Sequence, residues 1–358
     1  MRIKQVTVIS CLLVAIFACR KDEPIPVAST TPYVFDLPKP LGNYGDMVIP
    51  EDNPMTVEGV ALGKKLFYDK RLSNDENLSC NSCHLQEYSF STPSNAIGDV
   101  DGGKVRNVMP LVNLGWVNAY AWDGRKTSLE EKIKESFLNP YSLNAQAETV
   151  LPRLAEDDFY PTEFEVVFGD SEITFDRIAK ALAQFFRTLV SGNSPYDKYL
   201  RNGVGGSGWS QENELKAIQG YAIFEGEIGD CAHCHGNEFN PLWTDGQMRN
   251  NGLDASFEDD LGYGFVTGNA SDNGKFRSPS LRNLAFTAPY MHDGRFETLD
   301  EVIDHYSFGL VHSPTIDPLM KKVDDGGVAL NPTEKECLKL FLLSLSDSSF
   351  ITNPEFME

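Results

Sequence analysis

The chain has little positive charge for its length. Its 358 residues carry 31 Lys and Arg against 52 Asp and Glu, a formal net charge of -21. A nucleic-acid binder needs a basic footprint, so that class is excluded. Long apolar runs are lacking too. Val6 to Phe17 is mostly apolar but too short for a comfortable membrane span. Preceded by Arg2 and Lys4, it reads as an export signal. It ends in Ile16-Phe17-Ala18-Cys19, similar to a lipoprotein cleavage box, with Phe17 bulkier than usual. The expectation is a signal over 1–18, a lipid on Cys19 that anchors the chain in the periplasm or cell envelope, and a Pro-rich flexible tether over 19–45. An ordinary signal peptide with an incidental Cys19 is the alternative. Strand-like alternation long enough for a substantial sheet is also missing, which leaves a mostly α fold.

Cysteine is scarce as well, at seven residues, but four of them fall in two identical patterns. Cys80-Asn81-Ser82-Cys83-His84 and Cys231-Ala232-His233-Cys234-His235 are both Cys-x-x-Cys-His, the attachment signal for c-type haem. The thiols add across the haem vinyl groups, and the histidine is placed to ligate the iron. One such run could be chance or a dithiol motif. Two behind an export signal point to two covalently bound haem c groups. Of the other cysteines, Cys11 leaves with the signal, and Cys337 lies in the apolar pattern Leu338, Phe341, Leu342, Leu345 as an inert core thiol.

The two halves of the chain resemble each other. Asn113-Leu114 is followed nine residues on by Trp122-Asp123-Gly124-Arg125 and then Leu129-Glu130-Glu131; Asn283-Leu284 is followed nine on by His292-Asp293-Gly294-Arg295 and then Leu299-Asp300-Glu301. The offset is constant, 283 − 113 = 170 and 292 − 122 = 170. Gly63 to Phe67 and Gly220 to Phe224 precede the two haem runs as helix ends. The fold expected is two tandem c-type cytochrome domains related by internal duplication, over 46–202 and 203–358, with Gly203 to Gly208 as linker. Helices are expected after Ser128, over Phe175 to Leu189, and from Asn331-Pro332-Thr333-Glu334.

From about Pro54 onward the chain resembles the bacterial di-haem cytochrome c peroxidases and their MauG-like relatives. The resemblance rests on both haem runs, Arg106-Asn107, Trp122-Asp123-Gly124-Arg125, Phe276 to Asn283 and Pro289 to Arg295. It implies that the haem on Cys80, Cys83 and His84 is the low-potential site where hydrogen peroxide is reduced. The haem on Cys231, Cys234 and His235 is then the high-potential site, which receives electrons from a small cytochrome c or cupredoxin. Trp122 helps electrons cross between them; plain packing beside haem is the bland alternative. A calcium ion is implied between the domains, bound by the Asn107 side chain and the carbonyls of Thr287 and Pro289, all hard oxygen donors. Homodimers are common in the family, though no interface pattern marks one here.

The distal ligand of the second haem divides the family. The peroxidases carry Met fourteen residues after the residue matching His292; here that position is Tyr306, as in MauG-like members. A phenolate favours ferric and higher iron states, whereas a thioether raises the potential. Met320, His305 and His312 are the competing ligands. The first haem departs from the family pattern. Asn-Pro-x-Glu-Met becomes Asn139-Pro140-Tyr141-Ser142-Leu143, so Ser142 replaces the family's acid–base Glu. A hydroxyl alone is a poor general base. Asp99 stands where the peroxidases carry a distal His. Three outcomes stay open: a substitute acid–base group (Asp99, Glu135 or Glu148), a MauG-like oxidase that modifies a partner, or a non-catalytic electron carrier.

Overall fold

The computed structural model describes residues 30–93 and 106–358, and it is mostly helical. The helices are α1 (Val57–Tyr68), α2 (Leu129–Leu138), α3 (Ala147–Ala155), α4 (Phe159–Phe168), α5 (Phe175–Thr188) and α6 (Pro195–Asn202), then α7 (Gln211–Glu225), α8 (Ala232–His235), α9 (Tyr263–Thr267), α10 (Leu299–Phe308), α11 (Pro332–Ser344) and α12 (Ser348–Ile351). Two short antiparallel strands, β1 (Met248–Arg249) and β2 (Phe276–Arg277), form the one sheet among the described residues. No helix there is long and apolar enough to cross a membrane.

The helix starts follow the capping chemistry of the sequence. The Ser128 hydroxyl accepts from the Glu131 N–H at 3.4 Å, and Thr174 caps α5 through the Arg177 N–H at 3.2 Å. Asn331 accepts from the Glu334 N–H at 3.0 Å, with Pro332 opening α11. Such side chains satisfy amides that the helix itself leaves free.

Two apolar cores result. Leu66, Phe67, Phe137, Tyr160 and Phe185 centre the first, and Phe224, Trp243, Ile303 and Phe341 the second. Cys337 is buried in the second core on α11. Each core has a close helix crossing that only glycine permits. A Cβ on Gly63 would overlap the Ala181 carbonyl of α5, and one on Gly220 the Cys337 carbonyl of α11. Other bonds occur in pairs. The Asn113 and Asn283 N–H groups donate to Leu189 O (2.9 Å) and Leu345 O (3.2 Å), and those of Tyr120 and Tyr290 donate to Lys126 O and Phe296 O, both at 2.7 Å.

The chain crosses between the cores where composition gave no warning. Tyr196 of α6, ahead of the expected boundary at 203, belongs to the second core, and Asp197 beside it is buried against Arg282. Phe350 and Phe356, near the chain's end, belong to the first core. Lys64 Nζ and Tyr68 Oη donate to Glu355 O (2.9 Å) and Phe356 O (2.6 Å), and Gln86 Nε2 donates to Asn353 O at 2.8 Å. The glycine-rich expected linker is held as well: the Glu214 carboxylate accepts from the Gly205 N–H and, at 2.9 Å, from the Ser207 N–H. The segment expected as a flexible tether is docked from residue 30 on, because Leu41 is an apolar anchor, fully buried, and Arg201 holds the Lys39 carbonyl at 2.5 Å.

Candidate haem centres

The first motif begins with a single turn of tight helix, Cys80–Ser82. His84 follows, with its N–H bonded to Cys80 O at 3.0 Å. Its ring Nδ1–H donates to Phe90 O at 2.7 Å, which leaves Nε2 as the nitrogen free for a metal. Burial lowers the His84 pKa to about 4, so the ring is the neutral, ligating form. Burial also pushes the Cys80 and Cys231 thiols up to about 12 and Cys234 up to about 11, and raises Cys83. A redox-active Cys-x-x-Cys pair carries a lowered thiol pKa, and burial acts in the opposite direction on these runs.

The second motif borders a cavity of about 270 Å³ lined by Cys231, Cys234, His235, Tyr306, Met320 and Trp122, among others. A large, mostly apolar hollow against two thiols and an imidazole fits a covalently held porphyrin. Of the four candidates for the distal ligand, Tyr306 and Met320 line this cavity; His305 and His312 do not. The Tyr306 hydroxyl accepts from Asn251 Nδ2 at 3.0 Å, and burial pushes its pKa up to about 12. Asn251 was not among the residues expected from sequence; nothing in its local pattern distinguishes it.

Trp122 is buried between the halves. Its Nε1–H donates to Asn107 O at 2.8 Å, and its carbonyl accepts from the Arg277 N–H at 2.7 Å. Arg106, also buried, reaches Asp123 at 2.6 Å and Asp260 at 2.8 Å. These bonds hold the tryptophan from both sides of the molecule. Of the expected calcium donors, Asn107, Thr287 and Pro289 all border the same cavity. Asn107 Nδ2 donates to Pro289 O at 2.5 Å, while its Oδ1 is buried with no hydrogen-bond partner. An orphaned acceptor beside a carbonyl is what a hard cation would satisfy.

Ser142 lies in the turn after α2, half-buried, its N–H bonded to Asn139 O at 3.0 Å. Asp99 lies outside the described residues. Glu135 is a poor substitute base: although burial opposes ionisation, Lys132 and Arg125 together hold its carboxyl below the usual range. Glu148 is exposed in the first turn of α3.

Fold and sites together define a protein built around two c-type haem attachment runs with a buried tryptophan between its halves. Residues 57–204 match the model of the di-haem cytochrome c peroxidase family. The chain is 35% identical over 311 residues to the methylamine utilization protein MauG of Methylorubrum extorquens, covering 86% of this chain and 83% of that protein. It is 32% identical over 354 residues to the cytochrome-c peroxidase IdrP1 of Pseudomonas sp. strain SCT, covering 87% of each. A crystal structure of a MauG-like protein associated with microbial copper homeostasis superposes with a TM-score of 0.78 at 32% identity, over 90% of this chain and 98% of that one. The chain belongs to the di-haem cytochrome c peroxidase family, in which MauG also falls. It is therefore a peroxidase-type oxidoreductase that carries two haem c groups.

Proposed function

We propose that the protein reduces hydrogen peroxide to water at the centre formed by Cys80, Cys83 and His84. Two electrons and two protons turn one peroxide into two waters. The electrons come from a small cytochrome c or cupredoxin that docks at the second centre. The haems, when bound, supply the iron that carries the electrons and cleaves the oxygen–oxygen bond. The observation that carries the reading is Trp122, buried with its indole N–H on Asn107 and its carbonyl on Arg277, bordering the cavity of the second motif. His84 holds its ring through Phe90 O and presents Nε2. Ser142 Oγ offers a hydrogen bond on the peroxide side but no strong base, so proton delivery is the weak step unless Asp99 supplies it.

The finer parts of the proposal follow the same residues. Two haem domains related by duplication meet near residue 193, between α5 and α6. A calcium ion sits on Asn107 Oδ1 and the carbonyls of Thr287 and Pro289. The protein acts outside the cytoplasm, tethered through Cys19. Reduced mediator and peroxide supplied to wild type and Trp122→Phe test the reaction. Peroxide-dependent mediator oxidation that falls in the variant is expected; no oxidation by the wild type, with fast exchange between haems, identifies a carrier instead.

Tyr306 favours a second reading, a MauG-like oxidase that holds oxidising equivalents across both haems and modifies a partner protein. Its hydroxyl borders the second cavity with Asn251 as donor. Ligation by His235 and Tyr306 predicts that Tyr306→Phe alters the spectrum of one haem only. An unchanged spectrum returns the position to Met320 or to no protein ligand.

A further inference from the structure

Four arginines are buried among the described residues: Arg106, Arg187, Arg277 and Arg282. Three are matched by carboxylates. Arg106 pairs with Asp123 and Asp260, Arg187 with Glu130 at 2.7 Å, and Arg282 with Asp197 at 2.6 Å. Arg277 has no carboxylate partner among the described residues. Its Nη2 meets the Met109 sulfur at 3.5 Å, a weak acceptor, and its Nε is buried with no partner at all. Burial lowers its pKa to about 10, the reverse of the effect on Arg106, whose two carboxylates outweigh burial and raise it. An unpaired buried cation is costly, and guanidinium is the side chain best shaped to grip a carboxylate in two places.

The position of Arg277 says where the missing anion belongs. It borders the cavity lined by Cys231, Cys234 and His235. Arg249, at the same cavity, is already taken up by Asp245 and Asp317. The duplicated spacing adds a second observation. Arg277 lies 277 − 107 = 170 residues after Asn107, the offset that relates His292 to Trp122. The main-chain bonds are reciprocal: the Arg277 N–H donates to Trp122 O and the Asn107 N–H to His292 O, both at 2.7 Å. Corresponding positions thus present an orphaned acceptor in one half, Asn107 Oδ1, and an orphaned donor in the other, Arg277 Nε. The first suits a cation and the second an anion.

We propose that Arg277 is the counter-charge of a haem propionate at the second centre, and that it thereby sets that haem's potential and its position relative to Trp122. The inference rests on the reading that this cavity holds the haem of Cys231, Cys234 and His235. A haem brings two carboxylates into a site otherwise rich in apolar surface, and Arg277 supplies the positive charge that the surrounding side chains leave unmatched. It is a positioning residue: it acts through the haem and, by its main chain, through the tryptophan. A fixed cation near the iron favours the reduced state, so its removal lowers the potential.

The test uses the full chain with both haems attached, their number checked by mass and each assigned by replacing its own proximal histidine. Potentiometric titration compares wild type, Arg277→Met and Arg277→Lys. The expected result is a lower potential in Arg277→Met for the second haem alone, with Arg277→Lys close to wild type. Unchanged potentials, a shift of the first haem only, equal shifts of both, or a lysine variant displaced as far as the methionine variant overturns the proposal. If Arg277→Met does not retain the second haem, Arg277→Lys decides: recovered haem supports the counter-charge role, and no recovery overturns it. Absence of haem from Cys231 and Cys234 in the wild type would instead refute the underlying site reading, and would be seen before any variant is made.

Discussion

His84 and His235 end the same five-residue motif, yet their second ring nitrogens face different surroundings. The His84 Nδ1–H is held by Phe90 O at 2.7 Å, whereas His235 Nδ1 is buried with no acceptor in good hydrogen-bond geometry, the backbone of Trp243 and Pro279 lying only near enough to favour its proton. A proximal histidine that donates from its far nitrogen is a stronger electron donor to its metal, and one that does not is weaker. If both histidines hold iron, this difference would favour a lower potential at the first centre than at the second, the order that the family resemblance leads one to expect. The lesson is that asymmetry is introduced one layer outside the motif. The motif itself is duplicated; Phe90 O, Asn107 and Arg277 are where the halves part.

The comparison can be broken most forcefully at Ser142. If the first half lacks only the acid–base group, Ser142→Glu raises peroxide turnover, by up to about 10² to 10⁴, the range such groups contribute. Steady-state oxidation of a reduced mediator measures it, and a fall in rate would show that the pocket does not admit the carboxylate. Next come the buried ion pairs, one in each half. Breaking Arg282–Asp197 with Arg282→Met should cost about 3–5 kcal/mol, since it strands a buried carboxylate. Arg187→Met should cost less, because its partner Glu130 is 15% exposed whereas Asp197 is 1% exposed; each carboxylate keeps other donors, Asn53 for Glu130 and Ser194 for Asp197. Denaturant unfolding of the haem-loaded protein ranks the two.

The same pairs contribute to the acid limit. Burial opposes ionisation of Asp197 and of Glu130, but Arg282 and Arg187 respectively hold both carboxyls below their usual range. The unfolded chain then takes up these protons at higher pH than the folded one. The stabilisation is complete above the unfolded values of about 3.9 and 4.3 and drains away as pH falls through the lower folded values. Acid unfolding followed by circular dichroism should begin at higher pH in Asp197→Asn. The smallest effect tests the shared part of the halves. Gly63→Ala and Gly220→Ala each force a methyl against a carbonyl on the facing helix, at about 1–3 kcal/mol. Similar losses in thermal unfolding would mark the two crossings as equivalent; a loss at one site only would separate them.

Much of the chemistry was legible because it is local. Cys-x-x-Cys-His, the fourteen-residue step from His292 to Tyr306 and the caps at Ser128 and Asn331 each lie within a short stretch of chain. The partners that tune those groups were not legible. Asn251 reaches Tyr306 from 55 residues away, and Asn107 reaches Pro289 from 182 away. Such pairs follow from packing, which no local pattern announces. Arg277 is the instructive exception: the 170-residue offset pairs it with Asn107, six positions before Asn113 and Asn283, where the repeat is first recognised. The docked segment around Leu41 was misread for the opposite reason. Its prolines suggested a free linker, and one buried leucine decided the outcome.

The return of Phe350 and Phe356 to the first core has a consequence for biogenesis. A polypeptide is synthesised N-terminus first, and earlier domains ordinarily fold before later ones arrive. Here the first core lacks two of its buried aromatic rings, and Lys64, Tyr68 and Gln86 lack their acceptors, until residues 350–356 have been made. The framing of the first Cys-x-x-Cys-His run is therefore complete only once residues 350–356, about 270 positions further along the chain, are in place.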